Sequence, residues 1–147
     1  MPLQYKDKIT LLVDQAGAGA IRSALTIADS GTHFIVPALT SGTQLIVLPA
    51  VSAANVGFWC RFTMIGTAAQ VFSVDTAASA DKIITAEPDG DGTMTINASA
   101  DGFNFTASAV KGASFKITMI SATAATAFAV SDIVSGLAAQ TGEHVAE

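Results

Sequence analysis

Glu87, Asp89 and Asp91 crowd into Glu87-Pro88-Asp89-Gly90-Asp91-Gly92, and clustered carboxylates are the groups that supply oxygen ligands to calcium. A full calcium loop needs further acidic positions and a terminal glutamate, which this stretch lacks. The Asp89–Asp91 segment therefore reads first as a tight hairpin turn, because Asp-Gly steps tolerate positive φ. His33 and His144 are far apart, one within an apolar run and one near the end of the chain. Nucleophilic catalysis needs a base beside its nucleophile, and no Gly-x-Ser-x-Gly elbow or similar setting surrounds either histidine. His33 is read instead as a satisfied or interface histidine, which beside Phe34 would also respond to pH near neutrality. Cys60 alternates with aromatic residues and reads as a small buried hydrophobe. Gly17 and Gly19 have no strand-to-helix context for a phosphate loop. Asn97-Ala98-Ser99 and Asn104-Phe105-Thr106 match the glycosylation pattern, which means nothing without a secretory route. The expectation is a protein without catalysis, cofactor or metal.

One constellation points to binding. Trp59, Arg61 and Ile65 fall on the same side of Gly57-Phe58-Trp59-Cys60-Arg61-Phe62-Thr63-Met64-Ile65, and Trp and Arg are enriched where a few anchors dominate an interface. The competing reading has Trp59 merely covering a second layer of the core.

The elements that must position these residues are strands. Side chains on a strand point alternately to its two faces, which sets Phe58, Cys60, Phe62 and Met64 inward against Trp59, Arg61, Thr63 and Ile65. The same alternation sets Phe115, Ile117 and Met119 against Lys116 and Thr118, Met94 and Ile96 against Thr93 and Thr95, and Phe103 and Phe105 against Asn104. These read as half-buried antiparallel strands. His33 to Val36 and Gln44 to Leu48 are apolar on both faces, as expected of strands deep in a sandwich or against another subunit, and Pro37 and Pro49 end them. Ile35, Ile46 and Leu48 join His33, Trp59, Arg61 and Ile65 as expected interface contacts, with another subunit or a partner protein. Further strands are expected over 20–28, 70–75, 82–86 and 127–130, and single helical turns over 50–56 and 77–81. About ten short strands separated by Asp-Ser-Gly, Ser-Gly, Asp-Gly and Lys-Gly turns predict an all-β fold: an antiparallel β-sandwich, jelly roll or small barrel.

The chain has 147 residues, enough for one domain that buries a core without staples. Its body is placed at 20–136. Residues 1–19, with one apolar run from Ile9 to Val13, form an N-terminal arm, and 137–147 a C-terminal tail. Only 13% of residues are charged while 50% are hydrophobic, and the mean hydropathy is +0.51. So little charge implies surface covered by neighbours, which favours a homo-oligomer or a lattice-bound protein. A net charge of -5 and seven scattered basic residues argue against a nucleic-acid partner. One cysteine allows no internal disulfide, and synthesis in the cytoplasm is expected. No apolar run reaches the roughly 18 residues of a membrane span, and the N-terminus lacks the features of a secretory signal.

The order Ala28-Asp29-Ser30-Gly31-Thr32-His33-Phe34-Ile35-Val36-Pro37, then Gln44-Leu45-Ile46-Val47-Leu48-Pro49-Ala50, the aromatic stretch from Val56 to Gly66, the stretch from Ala68 to Ile84 and that from Lys111 to Ser131 resembles the β-rich head-decoration or cement proteins of tailed bacteriophages. It is also similar to related phage fibre modules. The likeness covers about 26–136, and Phe128 stands where many such proteins close with a Trp-Tyr type strand. The resemblance implies a virion component on the outer capsid surface, a homotrimer that binds the major capsid protein and stabilises the shell. Residues 1–19 and 131–147 would then act as clamps on adjoining capsid subunits. The alternative is a receptor- or glycan-binding module of a tail fibre, using Trp59 and the Asp89–Asp91 turn.

Overall fold

The computed structural model describes residues 8–13, 21–40, 44–66, 72–88, 94–100, 102–105, 111–134 and 143–145. Within these, the side chains of 21–22, 85–88, 94–100, 103–105 and 143–145 fall outside the description. The described residues form an all-β fold of twelve strands with no α-helix: β1 Lys8–Leu11, β2 Ile21–Ala24, β3 Thr32–Val36, β4 Gln44–Val47, β5 Trp59–Met64, β6 Phe72–Asp75, β7 Ile83–Pro88, β8 Met94–Ala100, β9 Gly102–Phe105, β10 Ser114–Met119, β11 Phe128–Val134 and β12 Glu143–Val145. They make a seven-stranded sheet, β1-β3-β5-β10-β11-β7-β8, and a five-stranded sheet, β12-β9-β6-β4-β2. Neither sheet closes on itself, so the small barrel expected from sequence is not the architecture.

The first half of the chain is wound rather than meandering. Successive strands alternate between the sheets, so β1, β3 and β5 pair in parallel in one sheet, and β2, β4 and β6 in the other. This corrects the expectation of uniformly antiparallel strands. Alternation along a strand reports which faces are buried, not which way its neighbour runs. Parallel neighbours need a long crossover, and here each crossover is a strand of the opposite sheet. The antiparallel ladders come later: β10 pairs with β5 and β11, β8 with β7, and β9 with β6 and β12.

Two of the corners that return the chain to the seven-stranded sheet share a sequence pattern, Ala24-Leu25-Thr26-Ile27-Ala28-Asp29-Ser30-Gly31 and Ala50-Val51-Ser52-Ala53-Ala54-Asn55-Val56-Gly57, with an aliphatic second, a hydroxyl third, an Asp or Asn sixth and a glycine last. Each makes one 3₁₀ turn, Ile27–Asp29 or Ala53–Asn55. Thr26 and Asp29 are tied by Asp29 N–H to Thr26 O at 3.0 Å and by Thr26 N–H to Asp29 Oδ2 at 2.8 Å. In the second corner, Asn55 N–H donates to Ser52 O at 3.1 Å and Asn55 Nδ2 to Ala50 O at 2.9 Å. Leu25 and Val51 anchor both corners against the core. Gly31 and Gly57 end them at φ 80 and 93, a region open to glycine at no steric cost. The turn expected over 50–56 is thus present, whereas 77–81 forms bends closed by Asp81 N–H to Ala78 O at 2.9 Å rather than a helix. The strand expected over 20–28 is shorter, because the first corner takes its second half.

Both sheets feed one core cluster, from Phe34, Phe58, Phe62, Phe115, Ile117 and Phe128 of the larger sheet and its approaches to Ile46, Leu48, Phe72 and Val74 of the smaller. Phe58, Cys60, Phe62 and Met64 are all fully buried, as are Phe115, Ile117 and Met119, in agreement with the alternation. Phe62 is the hub. Its ring lies 5.2 Å from Phe34, 5.3 Å from Phe115 and, across the core, 5.4 Å from Phe72. Gln44 Oε1, at the start of β4, is buried with no partner among the described residues.

β1 falls inside the expected N-terminal arm, yet it is hydrogen-bonded into a sheet of the body. β12, inside the expected C-terminal tail, pairs with β9. The Asp89–Asp91 turn lies outside the described residues.

Truncation of the hub tests the core directly. Phe62→Ala removes contacts on both sheets and should cost about 3–5 kcal/mol, read as a lowered denaturation midpoint by circular dichroism. A loss under about 1 kcal/mol would show that Phe62 does not tie the sheets together.

Candidate interaction surface

The outward face of the seven-stranded sheet is a grid whose rows follow from the strand registers. One row runs Ile9, His33, Arg61, Lys116, Ser131 across β1, β3, β5, β10 and β11. A second runs Leu11, Ile35, Thr63, Ser114, Val134, and a third holds Trp59, Thr118, Ala129 and Ile84. Ile65 continues the outward side of β5 just past its end, where its N–H donates to Val36 O at 2.9 Å.

Of the residues expected at an interface, His33, Ile35, Trp59, Arg61 and Ile65 do share this face. Ile46 and Leu48 do not: each is 1% exposed and belongs to the core. The two-faced apolar character read at 44–48 is real, since Val47 on the other side of β4 is buried too, but it is satisfied inside the chain. β3, by contrast, alternates: Phe34 and Val36 are buried while His33 and Ile35 are only half-covered. His33 was drawn into an apolar run by its neighbours. Its Nε2 lies 2.8 Å from Thr63 Oγ1 on the adjacent strand.

Charge on the face is sorted in a specific way. Arg61 and Lys116 stand directly opposite one another on β5 and β10, a like-charge pairing that destabilises a ladder. Each turns away to a different partner. Arg61 Nη2 donates to Asp132 Oδ2 at 2.8 Å, and Lys116 Nζ sits 4.7 Å from the centre of the Trp59 ring, in cation–π range. Asp132 reaches Arg61 because β11 bulges there: Lys116 pairs with Ser131 but Ser114 with Val134. The extra residue leaves Asp132 at φ 52, a conformation that aspartate tolerates better than most side chains. Both partners of the ion pair are partly exposed, so it contributes roughly 0–1 kcal/mol.

Trp59 is pinned from several sides. Its backbone N–H donates to Ser30 Oγ at 3.2 Å and its carbonyl accepts from Gly31 N–H at 2.8 Å. A Cβ on Gly31 would stand 3.7 Å from the indole, and Lys116 covers the ring as well. Lys116 was legible in sequence as an outward residue between Phe115 and Ile117. Asp132 was not, because no local pattern announces a bulge.

Cys60 is buried behind this face, and burial drives its thiol pKa far above the ordinary range, with the Asp29 carboxylate pushing the same way. A thiol held protonated is a poor nucleophile. Among the described residues no cluster of three or more metal-ligating side chains occurs, and no helix is long and apolar enough to cross a membrane. The sequence matches no protein-family model and no curated protein.

Burial of Cys60 predicts its chemistry: an aromatic disulfide reagent at pH 8 should leave the folded chain unlabelled and modify one thiol per chain in guanidinium. Fast labelling under native conditions would contradict the packing of β5. The charge sorting predicts that Lys116→Gln changes the emission of the single tryptophan, while Arg61→Gln shifts it much less.

Proposed function

We propose that this chain is a structural protein of a tailed-bacteriophage particle, a head-decoration or cement protein that acts as a homotrimer on the outer capsid surface. In this reading it binds the major capsid protein, reinforces the shell and performs no catalytic step. It is made in the host cytoplasm and ends on the virion. The two sheets would form a sandwich-type decoration domain, a reading supported by the Phe62–Phe72 contact between them.

The observation that carries the proposal is the outward face of the seven-stranded sheet. It is broad, built on rigid strands, and combines aliphatic side chains with a Trp, an Arg and a Lys, the mixture expected of a protein-binding surface. The sequence resemblance across 26–136 points the same way. The glycan-binding alternative gains less, because sugar stacking needs an open aromatic face and Trp59 is covered by Lys116 and backed by Gly31.

Two measurements test the proposal. Light scattering of the purified chain should give a trimer, and co-sedimentation with purified capsids lacking decoration should be saturable and raise their resistance to heat. A monomer that ignores capsids, combined with hits on a glycan array, would favour the fibre module instead.

A further inference from the structure

All four residues of β1, Lys8 to Leu11, are exposed. A strand ordinarily gives at least one face to a core, yet here neither the Ile9 and Leu11 side nor the Lys8 and Thr10 side is covered. Ile9 is 69% exposed, Leu11 60% and Val13, just beyond the strand, 63%. β3, one strand inward, is attached quite differently: Thr32, Phe34 and Val36 are buried, and its ladder with β5 is locked by the Phe34–Phe62 stack at 5.2 Å. β1 lies at the edge of the sheet and is laddered on one side alone.

Among the described residues three things hold β1. The first is the backbone ladder to β3, Lys8 opposite Thr32 through Leu11 opposite Ile35, continued by Leu12 N–H to Ile35 O at 2.9 Å. The second is Lys8 Nζ, which donates to Ala28 O at 2.6 Å on the surface. The third is the Leu12 side chain, partly buried against the core. Ordering a residue's backbone costs free energy of the same size as, or larger than, the net gain from one backbone hydrogen bond. A strand that adds ladder bonds without burying its side chains therefore gains little by docking, and a single aliphatic anchor decides the balance.

We infer that β1 is a detachable strap, which leaves and rejoins the edge of β3 as one unit while the rest of the fold stays intact. Segments with few buried apolar contacts and solvent-exposed backbone hydrogen bonds open at the low end of a protein's stability range. Release withdraws Leu12 from the core and uncovers the edge of β3, whose other side remains paired with β5 and whose Phe34 stays stacked on Phe62. The uncovered edge therefore keeps its shape, and free edge groups of this kind invite strand pairing. β1 is the built-in occupant of that edge, in the parallel register it already shows, and its departure controls access to the edge. This property belongs to the single chain and stands apart from the homotrimer proposed above.

Native-state hydrogen exchange of the full chain, read amide by amide by NMR, tests the strap. Leu12 and Ile65 supply matched probes: each follows the end of a strand flanking β3, and each N–H donates to a β3 carbonyl at 2.9 Å. They differ in that Leu12 closes the strap, whereas Ile65 follows β5, which is paired on both sides. After correction for intrinsic rates, Leu12 and the hydrogen-bonded amides within β1 should exchange about a hundredfold or more faster than Ile65. They should share one level of protection and respond little to guanidinium below the unfolding transition, because opening exposes little surface. Leu12→Ala should speed exchange along β1 about tenfold further, while Met119 N–H, bonded to Phe58 O at 2.8 Å, stays protected. Equal protection at positions 12 and 65, with the same steep dependence on guanidinium, would overturn the strap and make β1 part of the cooperative body. Protection that falls off residue by residue from Leu12 toward Lys8 would overturn opening as a unit and leave ordinary fraying of a chain end.

Discussion

The packing of Phe62 is the constraint on which the rest of the structure depends. It sits mid-strand in β5, with Phe34 on one side in a parallel ladder and Phe115 on the other in an antiparallel one, and it meets Phe72 from the opposite sheet. A single side chain therefore fixes the register of three strands and the approach of two sheets. Slipping β3 by one residue would turn His33 and Ile35 into the core and expel Phe34. Aromatic pairs at 5.2–5.4 Å contribute about 0.5–1.5 kcal/mol each beyond their burial, so such a slip would forfeit both area and geometry.

That register dictates the winding, and the winding dictates the surface. Because each return to the larger sheet passes through a strand of the smaller one, no helix among the described residues packs on the outside of β1, β3 and β5. Corners do the work that crossover helices do elsewhere. The Thr26–Asp29 and Ser52–Asn55 turns, with glycine at positive φ after each, reverse the chain in a few residues. The outcome is a broad sheet whose outer side carries His33, Ile35, Trp59, Arg61 and Lys116.

Much of this was legible in the sequence. Alternation placed Phe58 to Met64 and Phe115 to Met119 correctly, since period-two burial needs only local information. It also put Trp59, Arg61 and Ile65 on one face. Strand direction was not legible, because a half-buried strand alternates identically beside a parallel or an antiparallel neighbour. Ile46 and Leu48 were misassigned for a related reason: an apolar run states that a strand is covered, not whether its own chain or another covers it. The corner repeat from Ala24 and again from Ala50 was readable and would have announced the winding. The partnership of Arg61 with Asp132 depends on a bulge far along the chain and left no local trace.

The departures from good β-sheet practice gather on the outward face. Two cations oppose each other across a ladder, a non-glycine residue is held at φ 52, and aliphatic side chains stand exposed on an edge strand. Among the described residues the core offers one counterpart, the unpartnered Gln44 Oε1. A threonine pair at positions 61 and 116 would serve the isolated sheet better, removing the repulsion and the need for a bulge. Local rules are expected to fail where a second requirement competes with stability. Here Asp132 holds Arg61 and Trp59 holds Lys116, so the two opposed cations are kept apart. The bulge in β11 sets Asp132 beside Arg61, which ties the backbone irregularity to the charge pairing on the face rather than to the core.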